Sequence, residues 1–175
     1  MEVWRGAEMG LRVIIVNPSV ILGPGRWNSG SGQLFTRISK GMPFYTNGVT
    51  GYVDVRDVVK AMVLLTENQS ISNERFILNS QNISYQEAFS LIATSIGKKA
   101  PRYQMKPWLV DIFYPLASLL GFLIGKGAVI SRENLNSAFK KTVYSADKIN
   151  QTIGFQFIPI SESIDFIGKI YCKGL

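Results

Sequence analysis

Hydrophobic and polar positions divide this chain into segments of two periods. Leu11 to Asn17 (LRVIIVN) is a nearly unbroken apolar run, rich in β-branched residues and ended by Asn17 and Pro18. Such a run predicts a strand buried on both faces, in the middle of a parallel sheet. A short apolar segment, Val20 to Leu22, leads into the turn Gly23, Pro24, Gly25. Tyr52–Asp54 and Arg75–Asn79 read as further strands.

Between them the period changes to that of a helix. Val55 to Thr66 carries Val58, Val59, Met62, Val63 and Leu65 as an apolar face. Ser84 to Gly97 opens with a capping box of Ser84 and Glu87, closes at Gly97 and turns Ala88, Leu91, Ile92 and Ile96 inward. Shorter helices are predicted over Glu2–Glu8 with Gly10 as stop, over Gln33–Lys40, over Ala146–Ile153 with Gly154 as stop, and over Ser161–Tyr171. Strands interleaved with helices predict an α/β fold with a parallel sheet.

Pro107 to Gly125 is mostly apolar and approaches the length of a membrane span. Asp111 and Pro115 lie inside it, and an ionised Asp costs about 2.5–3.5 kcal/mol at a bilayer centre. No stable membrane span is therefore expected; a helix that lines a substrate pocket or touches a bilayer surface fits better. Ser131 to Phe139 reads as another helix, capped by Ser131.

Composition narrows the chemistry. The chain has 175 residues, 46% of them hydrophobic, which is enough for one or two units with a core. It has no histidine and one cysteine, Cys172, which removes the usual general base, the common zinc ligands and any internal disulfide. No metal is expected, and no signal peptide opens the chain, which points to the cytoplasm. The net charge of +7 raises nucleic acid as a partner, most densely at Lys98–Lys106 (KKAPRYQMK) with Tyr103 inside. A solvated loop and edge strand joining two helices accounts for that stretch without nucleic acid.

Open α/β sheets bind ligands at the carboxyl ends of their strands, so the search for a site starts just after Asn17. The glycine-rich stretch Gly23 to Gly32 (GPGRWNSGSG) fits neither a P-loop nor a dinucleotide fingerprint. It reads either as a lid or crossover beside a substrate, with Arg26 and Trp27 as substrate contacts, or as a plain surface loop. Asp57, in the first turn of its helix, suits the helix dipole.

NPSVILGPG at 17–25, followed by YVDVRDV at 52–58 and by the element from Tyr144 to Pro159, resembles the C-terminal half of an extended short-chain dehydrogenase/reductase. That is the family of NAD(P)-dependent epimerases, dehydratases and reductases. Asn17 before Pro18 is similar to the dihydroflavonol-reductase-like branch. The resemblance implies a partial Rossmann-type parallel sheet over residues 1–80 and a smaller, mainly helical substrate-binding lobe over 81–175. It also implies hydride transfer between NAD or NADP and a carbonyl or alcohol substrate in an intact parent, with Asn17, Pro18, Ser19 and Val20 against the nicotinamide.

The family's glycine fingerprint and its catalytic Tyr-x-x-x-Lys helix have no counterpart upstream of Leu11, where MEVWRGAEMG resembles only the last turns of that helix. One such string does occur, Tyr144 to Lys148, but Ser145 reads as a helix cap that leaves Tyr144 outside the helix. The chain by itself is therefore expected to be silent and to bind no cofactor tightly. The other reading is an assembly module that forms a homo-oligomer or pairs with a separate nucleotide-binding half, because a central strand with few neighbours leaves open edges.

Overall fold

The computed structural model describes residues 2–108 and 137–174. Six helices, α1 (Glu2–Glu8), α2 (Gly32–Ser39), α3 (Val55–Glu67), α4 (Tyr85–Ser95), α5 (Asp147–Ile153) and α6 (Ile160–Lys173), surround seven short strands among these residues. The strands are β1 (Ile14–Pro18), β2 (Val20–Leu22), β3 (Phe44–Tyr45), β4 (Val49–Asp54), β5 (Glu74–Leu78), β6 (Gln81–Ser84) and β7 (Tyr103–Gln104). The fold is a mixed α/β arrangement. The predicted helix over 131–139 and most of the apolar stretch 107–125 lie outside the described residues, among which no helix is long and apolar enough to cross a membrane.

Three small sheets form. β1 runs parallel to β5, with Asn17 beside Ile77 and Pro18 beside Leu78. β4 is central in the second sheet, parallel to β2 and antiparallel to β6. β3 and β7 make a two-residue parallel ribbon, Phe44 beside Tyr103 and Tyr45 beside Gln104. Ser19 alone separates β1 from β2, and its amide donates to the Leu78 carbonyl, so the first two sheets meet at that residue.

Two apolar cores result. Leu22, Phe35, Ile38 and Tyr52 pack with Ile83, the inner face of α4 and Ile160, Ile164, Ile167 and Tyr171 of α6. The second gathers Val58, Ala61 and Leu65 of α3 with Val53, Phe76, Leu78, Ile149 and Phe155, and Ile14 and Val16 of β1 lean against it.

The expectation of a strand buried on both faces is corrected here. Ile14, Ile15 and Val16 are half-buried, Asn17 and Pro18 are exposed, and β5 is the only neighbour of β1 among the described residues. β-branched composition records what a strand can pack against, and in this chain one face of β1 is packed while one edge stays open.

Side-chain caps open α3 and α4. Ser84 accepts from the Glu87 amide, as the sequence suggests. α3 is capped by Asp54, which accepts from the Arg56 amide at 2.8 Å. Asp57 lies in the first turn of α3, as the sequence suggests, and is also buried, accepting from the Ile158 amide at 2.8 Å and tying α3 to the chain just before α6.

Candidate functional site

The carboxyl end of β1 forms the candidate site. Asn17 and Pro18 lie exposed at the end of the strand, Ser19 turns the chain, and Val20 is partly exposed at the start of β2. β5 runs alongside and ends one residue before Asn79, so two parallel strands deliver an asparagine to the same end of the sheet. The Asn79 side chain is buried and its amide donates to the Tyr144 carbonyl at 3.1 Å. Asn82 holds the same peptide from both sides, donating to the Tyr144 carbonyl at 2.8 Å and accepting from the Tyr144 amide at 3.0 Å.

Ser19, Asn79 and Tyr144 converge on Gly51 of β4. A methyl at Gly51 would lie 2.1 Å from Asn79 Oδ1, 2.8 Å from the Tyr144 ring and 2.9 Å from Ser19 Cβ. Only glycine lets these three groups approach the strand so closely. Ser19 Oγ and Asn79 Oδ1 are buried there without a hydrogen-bond partner among the described residues, as is the Tyr52 hydroxyl on the other face of β4, in the first core. Buried polar atoms are normally paired, so this cluster holds spare hydrogen-bonding capacity at the strand end. Burial, and then Tyr85, pushes the Tyr52 hydroxyl well above its ordinary value, so it is a neutral donor.

Arg26 and Trp27, expected as substrate contacts, lie in the loop between β2 and α2. Arg26 is exposed there. The half-buried Trp27 ring packs edge-on against Tyr171 of α6, centroids 4.9 Å apart, and against Phe35 at 6.0 Å. Tyr171 in turn shares a 2.8 Å hydrogen bond with Ser39, so Trp27 staples α2 to α6 through an aromatic cluster. Tyr144 lies before α5, and Lys148 pairs with Glu74 over the Phe76 ring, so the Tyr144–Lys148 string does not place its two side chains one helical turn apart.

An ion pair that the sequence reading missed, Asp54 with Arg56, ties the second sheet to α6. Asp54 accepts from Arg56 through both carboxylate oxygens and from the Ser163 hydroxyl at 2.6 Å, while the Arg56 guanidinium lies 4.3 Å over the Phe166 ring. Burial alone would raise the Asp54 carboxyl. The hydrogen bonds from the Arg56 side chain, Ser163 and the Arg56 amide, with the guanidinium charge, outweigh it and hold the group below its ordinary value. Asp57 goes the other way: burial raises it, and the Ile158 amide only partly offsets that.

The cofactor that the resemblance implies fits these residues at one end only. The exposed Asn17 amide and the strand end at Pro18 and Ser19 suit the polar edge of a nicotinamide, whereas no glycine fingerprint follows any strand here to receive a pyrophosphate.

No family model matches the chain. A Synechocystis protein named as a dihydroflavonol 4-reductase is 26% identical over 170 residues, which cover 93% of this chain and 49% of that protein. A nucleoside-diphosphate-sugar epimerase from Pseudomonas aeruginosa superposes with a TM-score of 0.74 at 18% identity, covering 99% of this chain and 52% of that structure. The Thermus thermophilus UDP-glucose 4-epimerase, solved with NAD, superposes with a TM-score of 0.66 at 15% identity, covering 98% and 50%. The chain spans about half the length of the relatives it matches. The parallel β1–β5 pair and these likenesses agree: the chain has the Rossmann-type fold of about half of such an epimerase, and its sequence is similar to the dihydroflavonol 4-reductase-like protein.

Proposed function

We propose that this chain supplies the substrate-side half of an NAD(P)-dependent carbonyl reductase or epimerase and is silent without the nucleotide-binding half. The observation that carries the reading is β1: it ends in exposed Asn17 and Pro18 beside Asn79 while its second edge has no strand against it among the described residues. In this reading Asn17, Pro18, Ser19 and Val20 border the nicotinamide and orient its carboxamide, and the cofactor when bound supplies the hydride. Arg26, exposed in the glycine-rich loop, meets the small-molecule substrate; Trp27 beside it holds that loop against α6. Residues 1–80 serve as the C-terminal portion of the nucleotide-binding layer and 81–175 as the substrate lobe.

The test is NADH and NADPH oxidation with carbonyl substrates, first by the purified chain and then by the chain fused behind the nucleotide-binding half of a relative. No turnover alone and turnover in the fusion, reduced by Asn17→Ala, is expected. Turnover by the chain alone overturns the reading.

The open β1 edge favours a second, compatible reading as an assembly module. Val59, Met62 and Val63 of α3 and Val3 and Trp4 of α1 are also exposed, which a lone globular unit would be expected to cover. Pairing with a complementing half, or with a second copy, covers the edge. Light scattering that finds a clean monomer, unchanged by adding the complementing half, counts against it.

A further inference from the structure

We propose that the β3–β7 ribbon and the helix ends beside it form a docking face for an anionic phospholipid bilayer. In the ribbon, Tyr45 turns inward against the first core, while Phe44 and its cross-strand neighbour Tyr103 turn outward, ring centroids 6.1 Å apart. Both are exposed, Tyr103 at 65% and Phe44 at 45%, and Trp108 follows at 55%. Large aromatics held out in pairs on a rigid backbone are costly in water and favoured at a membrane interface, where one end is apolar and the other wet.

The charge around them has one sign. No Asp or Glu occurs from Met9 to Val53 or from Ala88 to Val110, and the ribbon pairs these two acid-free stretches. Because β3 and β7 are parallel and follow α2 and α4, Lys40, Lys98, Lys99 and Arg102 gather where the strands begin, with Lys106 just past β7. All five are exposed, and none has an acidic partner among the described residues. Cations at the ends of α2 and α4 also suit the helix dipoles. That accounts for Lys40 and Lys98 but not for the outward aromatic pair, Lys106 or Trp108.

A bilayer fits better than a single nucleic-acid strand. Phe44 and Tyr103 form one tilted pair at 49° rather than a row of stacking platforms. The sequence then leaves Trp108 directly for the apolar run 109–125, whose one charged residue is Asp111. Basic residues beside aromatics bind an anionic surface by charge and a shallow apolar contact together.

The experiment is co-sedimentation of the full chain with vesicles of phosphatidylcholine alone and of phosphatidylcholine doped with phosphatidylglycerol, at low and high salt, with oligo(dT) as competitor. Binding to the doped vesicles only, weakened by salt and untouched by oligo(dT), is expected. Lys99→Gln and Arg102→Gln should each lower partitioning about fivefold and together about 25-fold. Tyr103→Ala should lower it at both salt concentrations. Thermal melts confirm that each variant is folded. Equal binding to neutral vesicles, no binding to either, or loss of vesicle binding to oligo(dT) overturns the proposal.

Discussion

Replacing Gly51 by alanine tests whether the cluster at the end of β1 is as tightly built as its geometry indicates. The new methyl would sit 2.1 Å from Asn79 Oδ1, 2.8 Å from the Tyr144 ring and 2.9 Å from Ser19 Cβ. Asn79 cannot swing away freely, because its amide is bonded to the Tyr144 carbonyl, and Asn82 holds the same peptide through two more bonds. Relief therefore requires breaking one or two of these hydrogen bonds or bending β4. Overpacking costs about 1–3 kcal/mol, and each bond lost adds about 0.5–1.5 kcal/mol. The expected loss is about 2–4 kcal/mol, a fall in Tm of about 5–15 °C for a chain of this size. Urea melts of the wild type, Gly51→Ala, Asn79→Ala and the double variant read it, with coupling because Asn79→Ala removes the closest atom. A loss under about 0.5 kcal/mol, or strictly additive effects, would refute the reasoning.

Other variants test Asp54, Asp57 and the aromatic staple. Asp54→Ala should cost about 2–3 kcal/mol at pH 7, below the range for a fully buried pair because Arg56 is 42% exposed, and should be read by urea melts. The folded-state carboxyl of Asp54 lies below its ordinary 3.8, so its contribution is present above that pH and lost as pH falls through the folded value; the penalty of Asp54→Ala should shrink at pH 3. Asp57 lies above 3.8, so its contribution is present below that pH and lost as pH rises through the folded value. Asp57→Asn, which still accepts from Ile158, should gain stability at pH 7 relative to pH 3; a greater loss at pH 7 would count against this. Trp27→Ala should cost about 2–3 kcal/mol through lost contact with Tyr171 and Phe35, and an unchanged melt would leave Trp27 without its role as a staple.

Most helices were legible because their signals are local. The Ser84 cap, the stop at Gly154 with φ 61° and the period of α3 each depend on residues within a turn or two of one another. β3 and β6 were not, since two to four residues carry no period and exist only through partners far along the chain, and β7 was legible only as an edge strand somewhere in Lys98–Lys106. The same distance hid the contact of Asp54 with Ser163, 109 residues away, and that of Asp57 with the Ile158 amide. At the candidate site the position after Asn17 could be read from the strand's end. The convergence of Ser19, Gly51, Asn79 and Tyr144 could not, because three strands and a loop must be brought together before those residues meet. Trp27 shows the converse: an aromatic in a glycine-rich loop suggests a ligand contact, and only the position of α6 reveals the ring that it covers.

The backbone bonds of Met105, Lys140 and Thr142 have a consequence for how substitutions there are tolerated. Met105 donates to the Tyr45 carbonyl at 2.8 Å, and Val49 donates to Lys140 and accepts from Thr142, so two stretches far apart in sequence are fixed at positions four residues apart. Gly48, whose Cβ would meet the Ala138 carbonyl at 2.3 Å, leaves room for the return. Both anchors are main-chain bonds, indifferent to which side chains lie between them. Side-chain changes at Met105, Lys140 and Thr142 should therefore leave β3 and β4 in register, since what they contribute here is backbone.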